Sequence, residues 1–190
     1  MPSQPLPRRL ATDPIYIGFA GRIGSGKTSA ARHLASARGF QYTRYGKVLR
    51  EWLGDDGSDR ARLQQLGWDV MVGGRQRQLN GRLIAGLDRS QSAAIDGLRH
   101  PTDFECLASA YGPCFWLVYL ESGQERRFER LRSRFSDYTA FQEADSRPVE
   151  AHIEDLKLLA SATIENDGAL EDMYQGVDEW IARIDRGDHT

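Results

Sequence analysis

The segment Gly21-Arg22-Ile23-Gly24-Ser25-Gly26-Lys27-Thr28 fits the spacing G-x-x-x-x-G-K-[ST] at every fixed position. The apolar, β-rich run Ile15–Ala20 precedes it, and the alanine-rich, helix-favouring stretch Ser29–Arg38 follows. Gly21, Gly24 and Gly26 can adopt backbone angles closed to other residues, so successive N–H groups can turn inward around a polyphosphate. The helix beginning near Lys27 aims the positive end of its dipole at the same point. Lys27 adds a point charge for β- and γ-phosphates, the Thr28 hydroxyl is placed to ligate Mg²⁺, and Ser29 extends the cofactor-binding run. Four specified residues in a strand-turn-helix context favour a nucleoside triphosphate site over an incidental glycine-rich turn.

The remaining composition is ordinary for a soluble chain, with 40% hydrophobic and 27% charged residues. Its 190 residues are most simply one domain, 14–190, behind a disordered leader, 1–13, that lacks the apolar core of a secretory signal. No apolar run reaches the roughly 18 residues needed to cross a bilayer. Cys106 and Cys114 do not form a C-x-x-C pair, which argues against a disulfide frame or zinc site. A cytoplasmic protein without membrane partners is expected. Its net charge of −2 gives no general attraction to nucleic acid. Lysine occurs only at Lys27, Lys47 and Lys157, and all other positive charge is arginine. Arginine suits bidentate phosphate contacts, although a compositional bias of the genome produces the same skew.

Strands are expected at Ile15–Ala20, Phe40–Thr43, Ala93–Asp96, Phe115–Glu121 and Ala162–Glu165, with helices between them and a last helix from Leu170 to about Asp185. This alternation implies an α/β fold with a parallel sheet covered on both faces. Ligands of such sheets bind beyond the carboxyl ends of the strands. Arg44, Tyr45 and Arg50 open residues 44–90, read as acceptor-binding helices in which Val48, Leu49, Trp52 and Leu53 form an apolar face. Helical character from Arg60 to Leu87 is interrupted at Gly67, Gly73-Gly74 and Gly81 and carries many arginines. Arg62 and Arg75, near the ends of their helical pieces, are the favoured acceptor ligands there; a plain solvated surface is the alternative.

Asp96 ends the third strand and leads into Gly97-Leu98-Arg99-His100-Pro101. A carboxylate there supplies a direct or outer partner for Mg²⁺, and Arg99 can clamp a donor phosphate or an acceptor. The bland alternative for Asp96 is a turn aspartate. His100 reads as a surface residue and Thr102-x-x-Glu105 as a capping box. After the fourth strand, Phe128, Leu131 and Phe135 form a buried stripe, while Arg126, Arg130 and Arg134 recur every four residues on another face. Like charges at that spacing repel, and a polyanion across them relieves the repulsion. Residues 122–148 therefore read as a lid over a transferring phosphoryl group, against simple pairing with Glu125, Glu129 and Asp137. Thr139-x-x-Gln142 suggests a cap, and Pro148 the first turn of a helix ending at Leu159. Asn166-Asp167-Gly168 is a turn signal that lies near the purine in a nucleotide-binding sheet.

Together, GRIGSGKTSAARHLASARGF, AAIDGLRHPTDFECL, the arginine-rich helix after the fourth strand and SATIENDGALEDM resemble the nucleoside monophosphate kinase group of phosphate-loop (P-loop) proteins. Phage-type deoxynucleoside monophosphate kinases and dephospho-coenzyme A kinases look most similar. The resemblance implies a three-layer P-loop NTPase fold, with a five-stranded parallel sheet in order 2-3-1-4-5, an arginine-rich lid after the fourth strand and an ATP adenine loop after the fifth. It implies a donor loop at Gly21 to Thr28, lid arginines at Arg126, Arg130 and Arg134, and adenine contacts at Asn166 to Gly168.

One departure matters. Dephospho-coenzyme A kinases are expected to carry an aspartate just after the second strand to deprotonate a hydroxyl, and here that place holds Arg44-Tyr45-Gly46. A phosphate acceptor is already ionised near neutral pH and needs no base, so arginine suits it. The expected activity is transfer of the γ-phosphoryl of ATP, with Mg²⁺, to a (deoxy)nucleoside monophosphate by a monomer or homodimer. Lys27, Asp96, Arg99, Arg130 and Arg134 would carry the catalysis. The alternatives are a hydroxyl kinase acting on dephospho-coenzyme A or a hydroxymethylated base in DNA, and a nucleotide-dependent switch without a small acceptor. A grip on a DNA backbone by Arg60 to Arg89 is not favoured by the net charge.

Overall fold

The computed structural model describes residues 10, 12–54 and 60–187. In chain order the elements are β1 (Tyr16–Ala20), α1 (Lys27–Arg38), β2 (Gln41–Arg44), α2 (Tyr45–Leu53), α3 (Arg60–Val72), α4 (Gln76–Ala85), β3 (Ala93–Asp96), α5 (Pro101–Tyr111), β4 (Phe115–Glu121), α6 (Gln124–Leu131), α7 (Tyr138–Asp145), α8 (Ile153–Leu159), β5 (Ala162–Glu165) and α9 (Leu170–Arg186). The strands form one parallel sheet, as their alternation with helices implied, in the order β2-β3-β1-β4-β5 that the family resemblance implied. Side chains alternate between its faces, as period-2 geometry requires. Tyr16, Ala20, Ala93, Ile95, Leu117 and Tyr119 join a core with Leu49, Val70, Leu83, Leu107 and Leu156, from α2, α3, α4, α5 and α8. Ile17, Phe19, Ala94, Val118 and Leu120 join the opposite core with Ala30, Leu34, Met173, Val177 and Ile181, from α1 and α9. β4 is buried from both sides, which explains its continuous apolar run.

A third, smaller core lies outside the sheet. Leu131 and Phe141 bury against Ile23 of the phosphate-loop motif, with Phe128, Phe135 and Tyr138 packed around them. The stripe expected of the lid is thus internal to it, and it closes on a residue of the loop.

Several local expectations are corrected. β2 runs one residue later than expected and includes Arg44. In register, Asp96 of β3 pairs with both Phe19 of β1 and Arg44 of β2, so three strands end level beside the loop. The helical stretch after Arg60 breaks at Gly73-Gly74, where Gly74 takes a φ of 66°, whereas Gly67 and Gly81 stay inside helices. The cap of α5 is His100 and not Thr102, because Pro101 occupies the first helical position that its fixed φ suits. His100 Nδ1 accepts from the Thr102 N–H at 3.0 Å, and the Asp103 carboxylate accepts from the His100 N–H at 3.1 Å. α7 is capped by Asp137, which accepts from the Ala140 N–H at 2.9 Å, and not by Thr139. Pro148 opens a short 3-10 turn, Pro148–Glu150, and α8 starts only at Ile153. Most of the expected leader, residues 1–9 and 11, lies outside the described residues.

Burial pushes the His100 imidazole below its usual pKa, the facing His152 adds to this, and Asp103, Glu105 and Asp155 oppose it. A base with a lowered folded pKa leaves the unfolded chain with more bound protons at mildly acid pH. The cap's stability is therefore present above 6.5 and is lost as pH falls through that value. Protonation also removes the Nδ1 lone pair that accepts from Thr102. The melting temperature is expected to fall between about pH 7.5 and about pH 5.5, and less so in His100→Asn, whose cap does not titrate; parallel melting curves would refute this. Phe141→Ala, at a site with no exposed surface, should cost about 3 to 5 kcal/mol in denaturant titration.

Candidate nucleotide and acceptor site

The loop leaves the centre of the sheet at β1 and enters α1 with all three of its glycines in positive φ: 137° at Gly21, 82° at Gly24 and 104° at Gly26. The space around it is equally demanding. A Cβ on Gly26 would collide with the Asn166 amide, and one on Gly24 would stand 2.9 Å from Leu131. The Lys27 ammonium, 8% exposed, donates to the carbonyls of Gly21 at 2.6 Å and Arg22 at 2.8 Å. Ser25 is fully buried, with its hydroxyl 3.4 Å from Lys27 Nζ. Two donors from elsewhere in the fold reach two further carbonyls: Arg127 Nη1 to Ile23 O at 3.0 Å, and Asn166 Nδ2 to Ser25 O at 2.9 Å.

At the start of α1 the Thr28 hydroxyl donates to Asp96 Oδ2 at 2.7 Å, and the Tyr42 hydroxyl donates to the same oxygen at 3.1 Å. Burial, followed by the Asp96 charge, pushes the Tyr42 hydroxyl above its usual pKa. Among the described residues no cluster of three or more His, Cys, Asp or Glu side chains could hold a metal by itself. One hydroxyl and one carboxylate suit an oxygen-seeking ion such as Mg²⁺, which keeps water and takes phosphate oxygens as its other ligands.

A cavity of about 670 Å³ runs from the loop to the helices α2, α3 and α4. Its charged lining among the described residues is Lys27, Arg32, Arg44, Arg50, Arg99, Arg130 and Arg134, against the carboxylates Asp96 and Asp103. Asp103 is 1% exposed and saturated: it accepts from the backbone N–H groups of Arg99 and His100, from Asn80 Nδ2 at 2.8 Å and from Gln76 Nε2. Burial pushes its carboxyl up, and these donors pull it back. Tyr45 extends the network through its hydroxyl, which donates to Asn80 Oδ1 at 2.5 Å. Leu49, Leu63, Met71 and Leu79 supply an apolar wall at this end.

Of the residues singled out from sequence, Ile23, Gly24, Gly26, Lys27, Thr28, Ser29, Arg44, Tyr45, Arg50, Asp96, Arg99, Arg130, Arg134 and Asn166 line this one cavity. Gly21 and Ser25 form the buried back of the loop. Others stand elsewhere. Arg62 is exposed, and Arg75 lies over the Trp52 ring at 5.5 Å together with Arg82 at 5.1 Å. Arg126 pairs with Glu129 at 3.1 Å, and Gly168 packs against Asp172. The arginine ladder is not one continuous face, because α6 ends at Leu131 and Arg134 lies in the turn beyond it. Asn166 is 3% exposed and packs against the loop at the cavity wall, where its Oδ1 accepts from Arg130 Nη2 at 3.1 Å.

Sequence reasoning passed over Arg127, 3% exposed, which forms a bidentate pair with Asp145 at 2.5 and 2.9 Å. Its signal was present: Arg127 precedes Leu131 by four residues and so belongs to the apolar stripe. Glu150, 1% exposed and paired with Arg99, had no local signal, since its partner lies on the far side of β4 in the chain.

No family model matches the chain. A curated relative from Archaeoglobus fulgidus, described as a UPF0200/UPF0201 protein, is 26% identical over 183 residues, covering 88% of this chain and 55% of its own. The chain thus spans about half the length of the curated relative it matches. Among solved structures, shikimate kinase from Acinetobacter baumannii in complex with shikimate superposes with a TM-score of 0.61 at 20% identity, covering 90% of this chain and 94% of that one. A gluconokinase from Sinorhizobium meliloti gives 0.60 at 15% identity, covering 92% and 95%. The Mycobacterium tuberculosis APS kinase in complex with AMPPNP and APS gives 0.57 at 18% identity, covering 90% and 98%. The chain therefore shares the fold of the small P-loop kinases.

Proposed function

We propose that the protein is an ATP-dependent phosphotransferase whose acceptor is a nucleoside monophosphate. The observation that carries this reading is the charge of the cavity. Seven cationic side chains line it against two carboxylates among the described residues, in a chain whose net charge is −2. Both carboxylates are already hydrogen-bonded, and the side chains of Arg44, Arg50 and Arg134 make no hydrogen bond or ion pair among the described residues. One triphosphate at the loop accounts for the charge at that end. Arg44 at the end of β2 and Arg50 of α2, with the apolar residues of α2, α3 and α4 lining the same cavity, suit a second anion carrying a flat apolar group.

In this reading the loop amides and Lys27 hold the β- and γ-phosphates, and Arg99, Arg130 and Arg134 neutralise charge that spreads over the transferring group. Thr28 and Asp96 would hold Mg²⁺, which supplies further neutralisation and orients the phosphate oxygens. In this reading positioning and electrostatics account for most of the rate.

A second reading has one observation in its favour: the Asp96 carboxylate faces the same cavity and is a candidate base for a hydroxyl acceptor. It also draws on neighbours named as shikimate kinase and gluconokinase. A grip on DNA by the arginines of α3 and α4 is less favoured. Arg75 and Arg82 rest on Trp52, Arg77 pairs with Glu105 and Arg89 rests on Tyr111. No described helix is long and apolar enough to cross a membrane.

A coupled assay across nucleoside monophosphates, dephospho-coenzyme A and hydroxymethylated DNA distinguishes the readings. Turnover is expected with at least one free monophosphate; turnover with DNA or dephospho-coenzyme A alone would transfer the assignment to a hydroxyl kinase, and slow hydrolysis unaffected by any acceptor to a switch. Lys27→Ala should lower kcat by about a hundredfold or more. Arg44→Ala and Arg50→Ala should each raise the acceptor KM by about tenfold or more with little change in the KM for ATP. Chelation of divalent cations should stop transfer, and Asp96→Asn should raise the Mg²⁺ concentration required.

A further inference from the structure

The motif Gly21 to Thr28 does not hold its own shape. Every peptide bond described is trans, and a planar trans peptide points its N–H opposite to its carbonyl. An N–H can therefore turn toward a phosphate only if the preceding carbonyl turns away and finds a donor on the outside. Lys27 supplies that donor for Gly21 and Arg22. The carbonyls preceding Gly24 and Gly26 are taken by two side chains more than a hundred residues away in sequence: Arg127 on Ile23 O and Asn166 on Ser25 O.

We propose that Arg127 and Asn166 are positioning residues of the donor site, which hold the Gly24 and Gly26 amides toward the cavity. The inference rests on the reading of this loop as a polyphosphate site. Neither residue is free to do otherwise. Arg127 does not line the cavity; its Nε donates to Ser122 O at 3.1 Å, Asp145 takes both terminal nitrogens, and Ile23 O is the remaining acceptor. Asn166 is oriented by its partners: Arg130 can only donate, so the amide oxygen faces Arg130 and the nitrogen must face Ser25 O. A Cβ on Gly26 would meet that same nitrogen, so Asn166 also blocks the peptide from rotating. The hydrogen bond to Ser25 O is a contact of Asn166 beyond the adenine contact expected from sequence.

The test uses the full chain, labelled with ¹⁵N, with inorganic tripolyphosphate and ATP as probes. Arg127→Lys keeps the buried charge beside Asp145 but loses the fork that serves several acceptors at once. Asn166→Ala removes the second clamp and leaves Arg127 in place. Each variant is expected to weaken binding of both probes by the same factor, about tenfold, with its melt still cooperative. On addition of tripolyphosphate the Gly24 amide resonance should lose its response in Arg127→Lys while Gly26 keeps its own, and the reverse should hold in Asn166→Ala. Should Arg127→Lys fail to fold, Asn166→Ala alone decides. Unchanged tripolyphosphate affinity, or equal disturbance of all loop amides, overturns the proposal. So does weakened ATP binding with intact tripolyphosphate binding in Asn166→Ala, which would return Asn166 to the adenine. A wild type that binds neither probe removes the donor-site reading itself, whereas a wild type that binds beside unaffected variants removes only the clamps.

Discussion

A loop can gather N–H groups around an anion only by turning its carbonyls outward, and outward carbonyls buried in a protein must be met by donors. That constraint organises this molecule. The donors come from three places: Lys27 in the motif itself, Arg127 in the helix after β4, and Asn166 in the turn after β5. The strand order places β4 beside β1 and β5 beside β4, so the segments that follow them converge on the loop from one side. Ile23 completes the arrangement by burying its side chain in the small core of α6 and α7 while its carbonyl receives Arg127. The helices after β4 and the phosphate loop therefore share a core and a hydrogen bond.

The second organising force is charge. Gathering arginines around one cavity costs repulsion, and the fold offsets part of it with buried acids outside the cavity wall. Asp145 takes Arg127, and Glu150 takes Arg99. Arg130 is held by neutral partners, the Ser122 hydroxyl and the Asn166 carboxamide, which orient it without cancelling its charge. What remains uncompensated faces the ligand space, and an anion there gains from the repulsion it relieves. On the acceptor side the polar network Tyr45, Asn80, Asp103 and Gln76 is closed upon itself and stiffens the wall that α2, α4 and α5 share.

Much of this was legible in the chain. The five strands were visible because each is a short apolar run bounded by turns, and their parallel order followed from the helices between them. Motif spacing and strand ends singled out Lys27, Thr28 and Asp96, and the structure brings the three together. Errors arose where one local rule competed with another. Spacing alone made Arg126, Arg130 and Arg134 a ladder, but the helix stops at Leu131 and Arg126 turns outward to Glu129. Thr102 looked like a cap, but Pro101 claims the first helical position and moves the cap to His100. The contact of Arg75 with Trp52, which belongs to another helix, had no local signal.

The sequence by itself determined the elements, the layer architecture and the identity of the phosphate loop, because these depend on periodicity, backbone freedom and residues adjacent in the chain. Only the tertiary structure decided which arginines face the cavity and which are neutralised, and it alone brought Arg127 and Asn166 to the loop carbonyls. Those outcomes depend on contacts between residues such as Ile23 and Arg127, or Arg99 and Glu150, that are far apart along the chain. No local pattern encodes such pairs; they come into being when the parallel sheet aligns the ends of its strands.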